Sequence, residues 1–433
     1  MGRRLMYASR YIAADVASPP ERGGIITLSK FDKFAMKRSH KKTTTKQSRD
    51  AERLMALVNG LVESGSRAED SVWEAEIQSL AIKAMDANND TLLNAALDDA
   101  LDTSPDAHDS LAEIFEACAE SAILTIDERR WQVLLLGIPM VAWSRYAVPS
   151  GSVPQDICDI VATQLNAHVL AADTRATLCP FLYSVDQMPR DFANVRKLML
   201  KLGEAAITQK RPNMDLSRLG ETAPLPADTR FLIAAVAAPL QSPLFRWQEK
   251  NEKLNRAECL AQWLAQGRPN LARLLPGCEF DCWLPDAFFT NCREADRRVR
   301  PYALRAAVGF LEDTLKLNPQ NLRAIVARVG EESLEEYRVA FSSRGQDEVL
   351  HGMVWPIYGS EEDEQPVDGK PTPREEIEAI FKQCQITDVL KHGELFAPEY
   401  CEDCGAPLFV DADKDMVHPE IPEEADAAPT HYH

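Results

Sequence analysis

An α/β fold, with α+β as its variant, follows from three features of the 433-residue sequence. Residues 131–143 and 231–239 are long apolar runs bounded by polar residues and turn formers. Each follows an arginine, Arg130 or Arg230, and each carries a proline, Pro139 or Pro239. Such runs read as strands buried on both faces of a sheet, although periodicity alone does not separate them from a buried helix. After each run the order strand, helix, strand, helix recurs with landmarks about a hundred residues apart, which predicts an internal duplication. Alternation of this kind favours parallel strands covered by helices. Near the C-terminus, Cys401-x-x-Cys404-Gly405 adds a small zinc-ribbon-like knuckle.

The length allows roughly three domains and a sizeable core. Hydrophobic residues make up 45% and charged residues 27%, which is globular composition, so a wholly disordered chain is excluded. The net charge of −19 argues against a body that wraps nucleic acid, because phosphate binding needs a basic footprint. Ten cysteines are scattered, most within apolar patterns, and this fits reduced thiols in a cytosol better than a disulfide framework. No run approaches about 18 apolar residues, so no membrane span is expected. Arg3, Arg4 and Arg10 have no apolar segment behind them, so a secretory signal is not expected.

Residues 1–47 mix Gly, Pro and Ser with a basic block from Lys37 to Lys46 and show no sustained period, so they are expected to be a disordered basic extension. Met36 stands directly before that block and offers a second candidate start. Residues 48–125 turn helical: Leu54, Val58, Leu61 and Val62 form one stripe, and Trp73, Ile77, Leu80 and Ala81 another. Asp90 reads as a helix N-cap, and Leu111, Ile114, Phe115, Cys118 and Ala122 give a further stripe.

The first α/β repeat is expected over 126–225. It holds the first long strand, a helix with Ile157, Ile160, Val161 and Leu165 on one face, a short strand at 178–183 and a helix from Phe192. His168 continues the apolar face of the first helix and reads as a core residue. The second repeat, 226–358, has the same order: the 231–239 strand, a helix at 257–263, the stretch 278–285 and helices through Arg300. A separate helix at 302–311 then leads to strands at 322–328, 336–341 and 349–358. The middle one alternates Glu336, Tyr337, Arg338 and Val339 and should have one wet face.

Residues 359–372 read as an acidic linker whose charges need only water. Residues 373–420 are the C-terminal helix and knuckle. Thr372 caps that helix, Pro373 takes its first position and Glu375 completes a capping box, with Ile377, Ile380, Phe381 and Cys384 facing inward. Residues 421–433 are an acidic, disordered tail.

Chemistry concentrates in the knuckle, because two thiolates three positions apart in a tight turn both reach one Zn2+, and Gly405 relieves the backbone there. His418 is the third ligand: residues 408–410 and 416–418 pair across the Asp411–Asp415 turn and bring its imidazole back over Cys401 and Cys404. Cys384, His392 and water stay open as the fourth. Two readings compete with structural zinc: a knuckle that has lost its metal, and a redox pair, which no surrounding thioredoxin-like strand and helix supports. Cys278, Cys282 and Cys292 form a second cluster, but Phe280, Trp283 and Leu284 make it a core strand.

Arg293, Asp296, Arg297 and Arg300 share a helix face and form either an anion clamp or an internal ion-pair network. Arg145 and Arg246 lie in the loops after the two central strands, where open α/β sheets bind ligands. These arginines are the candidate anion site. The phosphate loop, the dinucleotide fingerprint, the nucleophile elbow and the His-Glu-x-x-His zinc motif are all missing.

With Ala142-Trp143-Ser-Arg145-Tyr146, Pro149-Ser-Gly151, Cys292-Arg-Glu-Ala-Asp-Arg-Arg298 and Cys401-Glu-Asp-Cys404-Gly-Ala-Pro-Leu-Phe409 in view, residues 48–418 resemble an uncharacterised bacterial family, domain of unknown function 2863. The resemblance implies a bacterial cytosolic protein and lends no catalytic residue. Two functions are expected to compete. One is a non-enzymatic interaction or scaffold protein with a protein partner, reaching nucleic acid only through its basic tail or its ribbon. The other is an enzyme or ligand-binding protein for an anionic small molecule, built on those arginines. The lack of an assembled acid, base or nucleophile favours the first.

Overall fold

The computed structural model describes residues 46–420, apart from 145–147, 215–218, 221, 223–226, 251–253, 332, 359–360 and 362–370. Residues 1–45 of the expected basic extension, most of the acidic linker and the acidic tail lie outside the described residues, and Lys46 and Gln47, expected in the extension, already belong to a helix. The first described elements are four helices, α1 (Lys46–Glu63), α2 (Arg67–Asp86), α3 (Asp90–Thr103) and α4 (Pro105–Glu120). Ser66 and Ser104 cap α2 and α4 by accepting the amides of Glu69 and Ala107. Leu54, Val58, Ile77, Ala81, Leu111 and Phe115 are buried in one core, as the helical stripes require. Asp90 does not cap its own helix. Asn89 holds that position, and the Asp90 carboxylate accepts the amide of Ala193 at 3.2 Å, at the start of a later helix.

Strand β1 (Ser121–Ile126) returns through Asp127 and Glu128 into β2 (Arg129–Trp143). Both turn residues are left-handed, with φ of 49° and 60°. A two-residue turn with two positive φ values matches the right-handed twist of a hairpin. The chain continues through β3 (Gly151–Ser152), α5 (Gln155–His168), β4 (Arg175–Leu178), β5 (Phe181–Ser184) and α6 (Phe192–Thr208) to β6 (Ala227–Pro239).

Strands β2 and β6 lie side by side from Trp131 opposite Pro239 to Trp143 opposite Ala227, and they run antiparallel. The expected parallel arrangement is corrected here. The crossover includes three short strands as well as two helices, and it delivers the chain to the end of the sheet where β2 finished. Alternation buries both faces. Trp131, Val133, Leu135, Phe231, Ile233 and Ala235 join the core of the four helices and α6. Leu136, Ile138, Met140, Leu232, Ala234 and Val236 face the opposite core with α5.

Beyond β6, α7 (Arg256–Gln262) passes through a π-helical turn at Trp263–Gly267 into α8 (Arg268–Leu271), then β7 (Glu279–Cys282), β8 (Asp286–Ala287) and α9 (Phe288–Leu315). Strands β4 and β5 pair with β6, whereas β7 and β8 pair with β2. The two helices expected around Arg300 are one helix with Pro301 inside it. Proline there removes the amide that would bind the carbonyl of Arg297, and the Arg300 Nε takes that carbonyl at 3.1 Å instead.

A second sheet follows: β9 (Leu322–Val329), β10 (Glu336–Ser343), β11 (Val349–Pro356) and, after α10 (Pro373–Gln383), β12 (Asp388–Phe396). Its order is β11-β10-β9-β12, with β12 parallel to β9. Ala303, Leu304, Val308 and Leu311 of α9 cover one face together with Ile377 and Phe381 of α10. The other face is not wet, contrary to the alternation in β10: the hairpin of β13 (Phe409–Val410) and β14 (Met416–Val417) sits on it, and Arg338 is 1% exposed.

The central layer is tightly packed at Gly203 on α6, where an added Cβ would stand 2.6 Å from Val133 Cγ1 on β2. Alanine contributes about 1 kcal/mol over glycine in a helix interior, and overpacking costs about 1–3 kcal/mol. Gly203→Ala should therefore lower the urea midpoint at unchanged slope. Adding Val133→Ala should cost less than the separate losses predict, and strictly additive losses would remove the contact from the explanation.

Candidate metal centre

The knuckle begins where the chain leaves β12. The amide of Cys401 donates to the Ala406 carbonyl at 2.8 Å and the amide of Gly405 donates to the Cys401 carbonyl at 2.9 Å, which closes a tight loop. Gly405 supplies the left-handed residue, with φ of 70°, a conformation glycine adopts without the penalty of a Cβ. The amides of Cys404 and then Asp403 donate to the Cys401 sulfur and hold its thiol below the usual range.

The second half of the site is the turn between β13 and β14. One oxygen of Asp411 accepts the amides of Asp413 and Asp415, each at 2.9 Å, and the Asp411 amide donates back to the Asp415 carbonyl at 3.0 Å. An aspartate that satisfies its own turn in this way fixes the hairpin register. His418 then follows β14 directly, and its Nε2 lies 3.2 Å from Cys404 Sγ.

The donor atoms of Cys401, Cys404 and His418 all lie within 4.8 Å of one another. Zinc bonds of ~2.3 Å to sulfur and ~2.0 Å to nitrogen, arranged tetrahedrally, put such donors ~3.5–3.8 Å apart. The three residues therefore can hold a metal ion, and two thiols with one imidazole suit a zinc-like cation. No other group of three such side chains converges among the described residues. The two protein candidates for a fourth ligand go elsewhere. His392 is buried with its Nε2 2.8 Å from the Asp411 carbonyl, and Cys384 ends α10.

What fastens the knuckle to the body was not visible in the sequence. From β10, Arg338 donates to the carbonyls of Glu399 at 2.7 Å and Leu408 at 2.6 Å, gripping both stems of the loop, while its Nε donates to Glu336. Tyr400 stacks near the same guanidinium, 5.1 Å from its ring centroid. Phe409 presses on Gly352 of β11, where an added Cβ would stand 2.4 Å from the ring. An arginine in the middle of an alternating strand reads as solvent-facing, so only the covering hairpin reveals its task.

The described candidate anion residues are each engaged by another group of the chain. Arg145 lies outside the described residues. Arg246 donates to the carbonyl of Ala167, and Arg293 holds both oxygens of Glu116 at 2.6 and 2.7 Å. Arg297 lies 3.6 Å from Glu361, which Arg300 engages through two bonds of 2.8 and 3.1 Å. Glu361 is thus a correction to the linker, whose charges were expected to need only water. Along α9 burial outweighs the cations: it pushes Asp296 up to about 7 against the pull of Arg300 and Arg293. Burial likewise raises the thiols of Cys292, Cys118 and Cys282, the last to about 12, so these behave as core residues.

A family model described as Protein of unknown function (DUF2863) matches residues 39–432. The chain belongs to this family. No curated protein and no solved structure matches the chain. Among the described residues, no helix is long and apolar enough to cross a membrane.

The seam between α4 and α9 makes stability depend on pH. Burial raises Glu120 from 4.5 to about 8, although its side chain accepts the Phe289 amide at 2.9 Å near the start of α9. Below 4.5 both folded and unfolded chains hold the proton. Between 4.5 and 8 only the folded chain holds it, so this contribution is lost as pH rises through that window. Glu120→Gln keeps the acceptor and should flatten the profile there by on the order of a few kcal/mol, because each tenfold difference in proton affinity between the folded and unfolded chains corresponds to about 1.4 kcal/mol. Urea titrations of both proteins across the window check this, and parallel profiles would count against it.

Proposed function

We propose that this chain is a non-enzymatic interaction or scaffold protein whose C-terminal knuckle carries structural zinc. The observation behind this reading is the convergence of Cys401 and Cys404, in the tight loop, with His418, which directly follows a hairpin of two-residue strands. A hairpin that short does not hold itself together. A metal ion joining its far end to the knuckle contributes folding energy, and Arg338 passes the resulting order to the sheet. Zinc here orients the surface of the ribbon and leaves chemistry to no residue of this chain.

The arginines that would serve an anionic ligand point the same way, since Arg293, Arg297 and Arg300 have carboxylate partners and Arg246 a carbonyl. A protein partner suits a net charge of −19 better than nucleic acid does. Ten cysteines, none paired, favour a reducing compartment, and we assign the chain to the cytoplasm on that ground. We also read the two long strands and their followers as duplicated units. The support is their cross-pairing, in which the short strands of each pass border the long strand of the other.

Native mass spectrometry with metal analysis on the reduced full-length protein should find one zinc per chain, and Cys404→Ser should lose it. Gly352→Ala, which displaces Phe409 without touching a ligand, should weaken zinc by about tenfold or more, in the range typical of residues that orient ligands. Binding partners recovered with the full-length chain should fall away from Cys404→Ser. A protein that purifies and remains equally stable without metal would overturn the structural-zinc reading.

A further inference from the structure

Among the described residues, the hairpin of β1 and β2 leaves one edge of the main sheet open. Ile126 and Arg129 flank its two-residue turn and so form a hydrogen-bonded pair, and the parity of an antiparallel ladder makes Leu124 with Trp131 and Ala122 with Val133 the next ones. The register against β6 agrees, because the Arg130 carbonyl accepts the Leu240 amide at 3.0 Å and therefore points to the other side of β2. The backbone groups of Ser121, Ile123 and Thr125 consequently point away from β2. The Ser121 amide returns to the Ala117 carbonyl, while no described residue pairs with the outer groups of Ile123 and Thr125.

Among the described residues, this edge lacks the devices that normally prevent strand addition. Those devices are charge, proline, a bulge or a covering segment. Elsewhere they are present: Arg268 donates to the Phe280 carbonyl of β7 at 2.8 Å, the Glu420 amide donates to the Val349 carbonyl of β11, and β12 carries Lys391 and Glu394. Strand β1 reads Ser-Ala-Ile-Leu-Thr-Ile with no ionisable group and no proline, and Ile123 is 53% exposed at its middle.

We propose that β1 is a docking edge for a second copy of this chain, paired antiparallel about Ile123. The sequence is self-complementary in that register. Ser121 faces Thr125 of the other copy, Ala122 faces Leu124, and Ile123 faces its equivalent. Hydroxyl thus meets hydroxyl, a small apolar side chain meets a large one, and β-branched side chains meet at the two-fold axis. The outward amides and carbonyls of the two Ile123 residues bond reciprocally, and each Thr125 amide meets a Ser121 carbonyl. An oppositely charged partner would find no counter-charge on the strand, whereas an identical strand brings no like charges together.

Sedimentation velocity and native mass spectrometry on the full-length protein test this. The expected result is a concentration-dependent dimer that tightens with added salt, because each copy carries −19 and screening relieves their repulsion. Ile123→Lys should weaken the dimer by at least about tenfold. Thr125→Pro should do the same, since it removes an amide that faces outward and spares the ladder with β2. Val72→Lys, exposed on α2, should leave association unchanged, and circular dichroism should show all variants folded. A wild-type chain that stays monomeric at every concentration, a dimer indifferent to both β1 substitutions, or association with another protein through β1 in place of self-association would each overturn the proposal.

Discussion

The pairing of β2 with β6 is the constraint on which the other elements depend. Both strands are covered on both faces, so their amides and carbonyls have no water to turn to and must satisfy one another. That requirement decides where proline is tolerated. Pro139 faces Phe231 and Pro239 faces Trp131, and both pairs fall on the parity at which the central ladder needs no hydrogen bond. Two residues that look like strand breakers thus sit where their missing amides cost the ladder nothing. The covering helices then have little freedom, because α6 must bring Gly203 against Val133 and α9 must bring Asn291 beside Gly137.

From that layer the order is passed outward through α9. Its first half presents Asn291 to the carbonyls of Gly137 and Leu284, and its second half supplies the floor of the smaller sheet. Arg300 stands at the junction, holding the Arg297 carbonyl, the Pro356 carbonyl and Glu361 together. The knuckle is the last link, gripped by Arg338 and pressed down by Phe409. Its donors are therefore positioned by residues that belong to the sheet beneath.

Much of this was legible in the chain and some was not, for identifiable reasons. The apolar runs, the Thr372 and Glu375 capping box and the two sides of the knuckle were readable because each is a local pattern whose physics involves only nearby residues. Strand direction was not, since it depends on how many times the crossover reverses. Strand β12 escaped because its inner residues include Lys391, His392 and Gly393, so the alternation that marks an edge strand is broken. Pro301 suggested a helix end because the repair by Arg300 comes from a side chain, which no propensity records. Asp90 carried a correct signal for capping but pointed to the wrong helix, since a carboxylate at a turn can serve whichever amide lies in reach.

The continuity of α9 has a consequence for inheritance. A module can be shuffled between proteins when its border falls in a linker, but here the border between the two cores runs through the middle of one helix, around Arg300 and Pro301. Neither half can be copied elsewhere without carrying a stub of helix whose apolar side has lost its counterpart. That architecture favours inheritance as one unit, and the family model's match spans both cores, from residue 39 to residue 432.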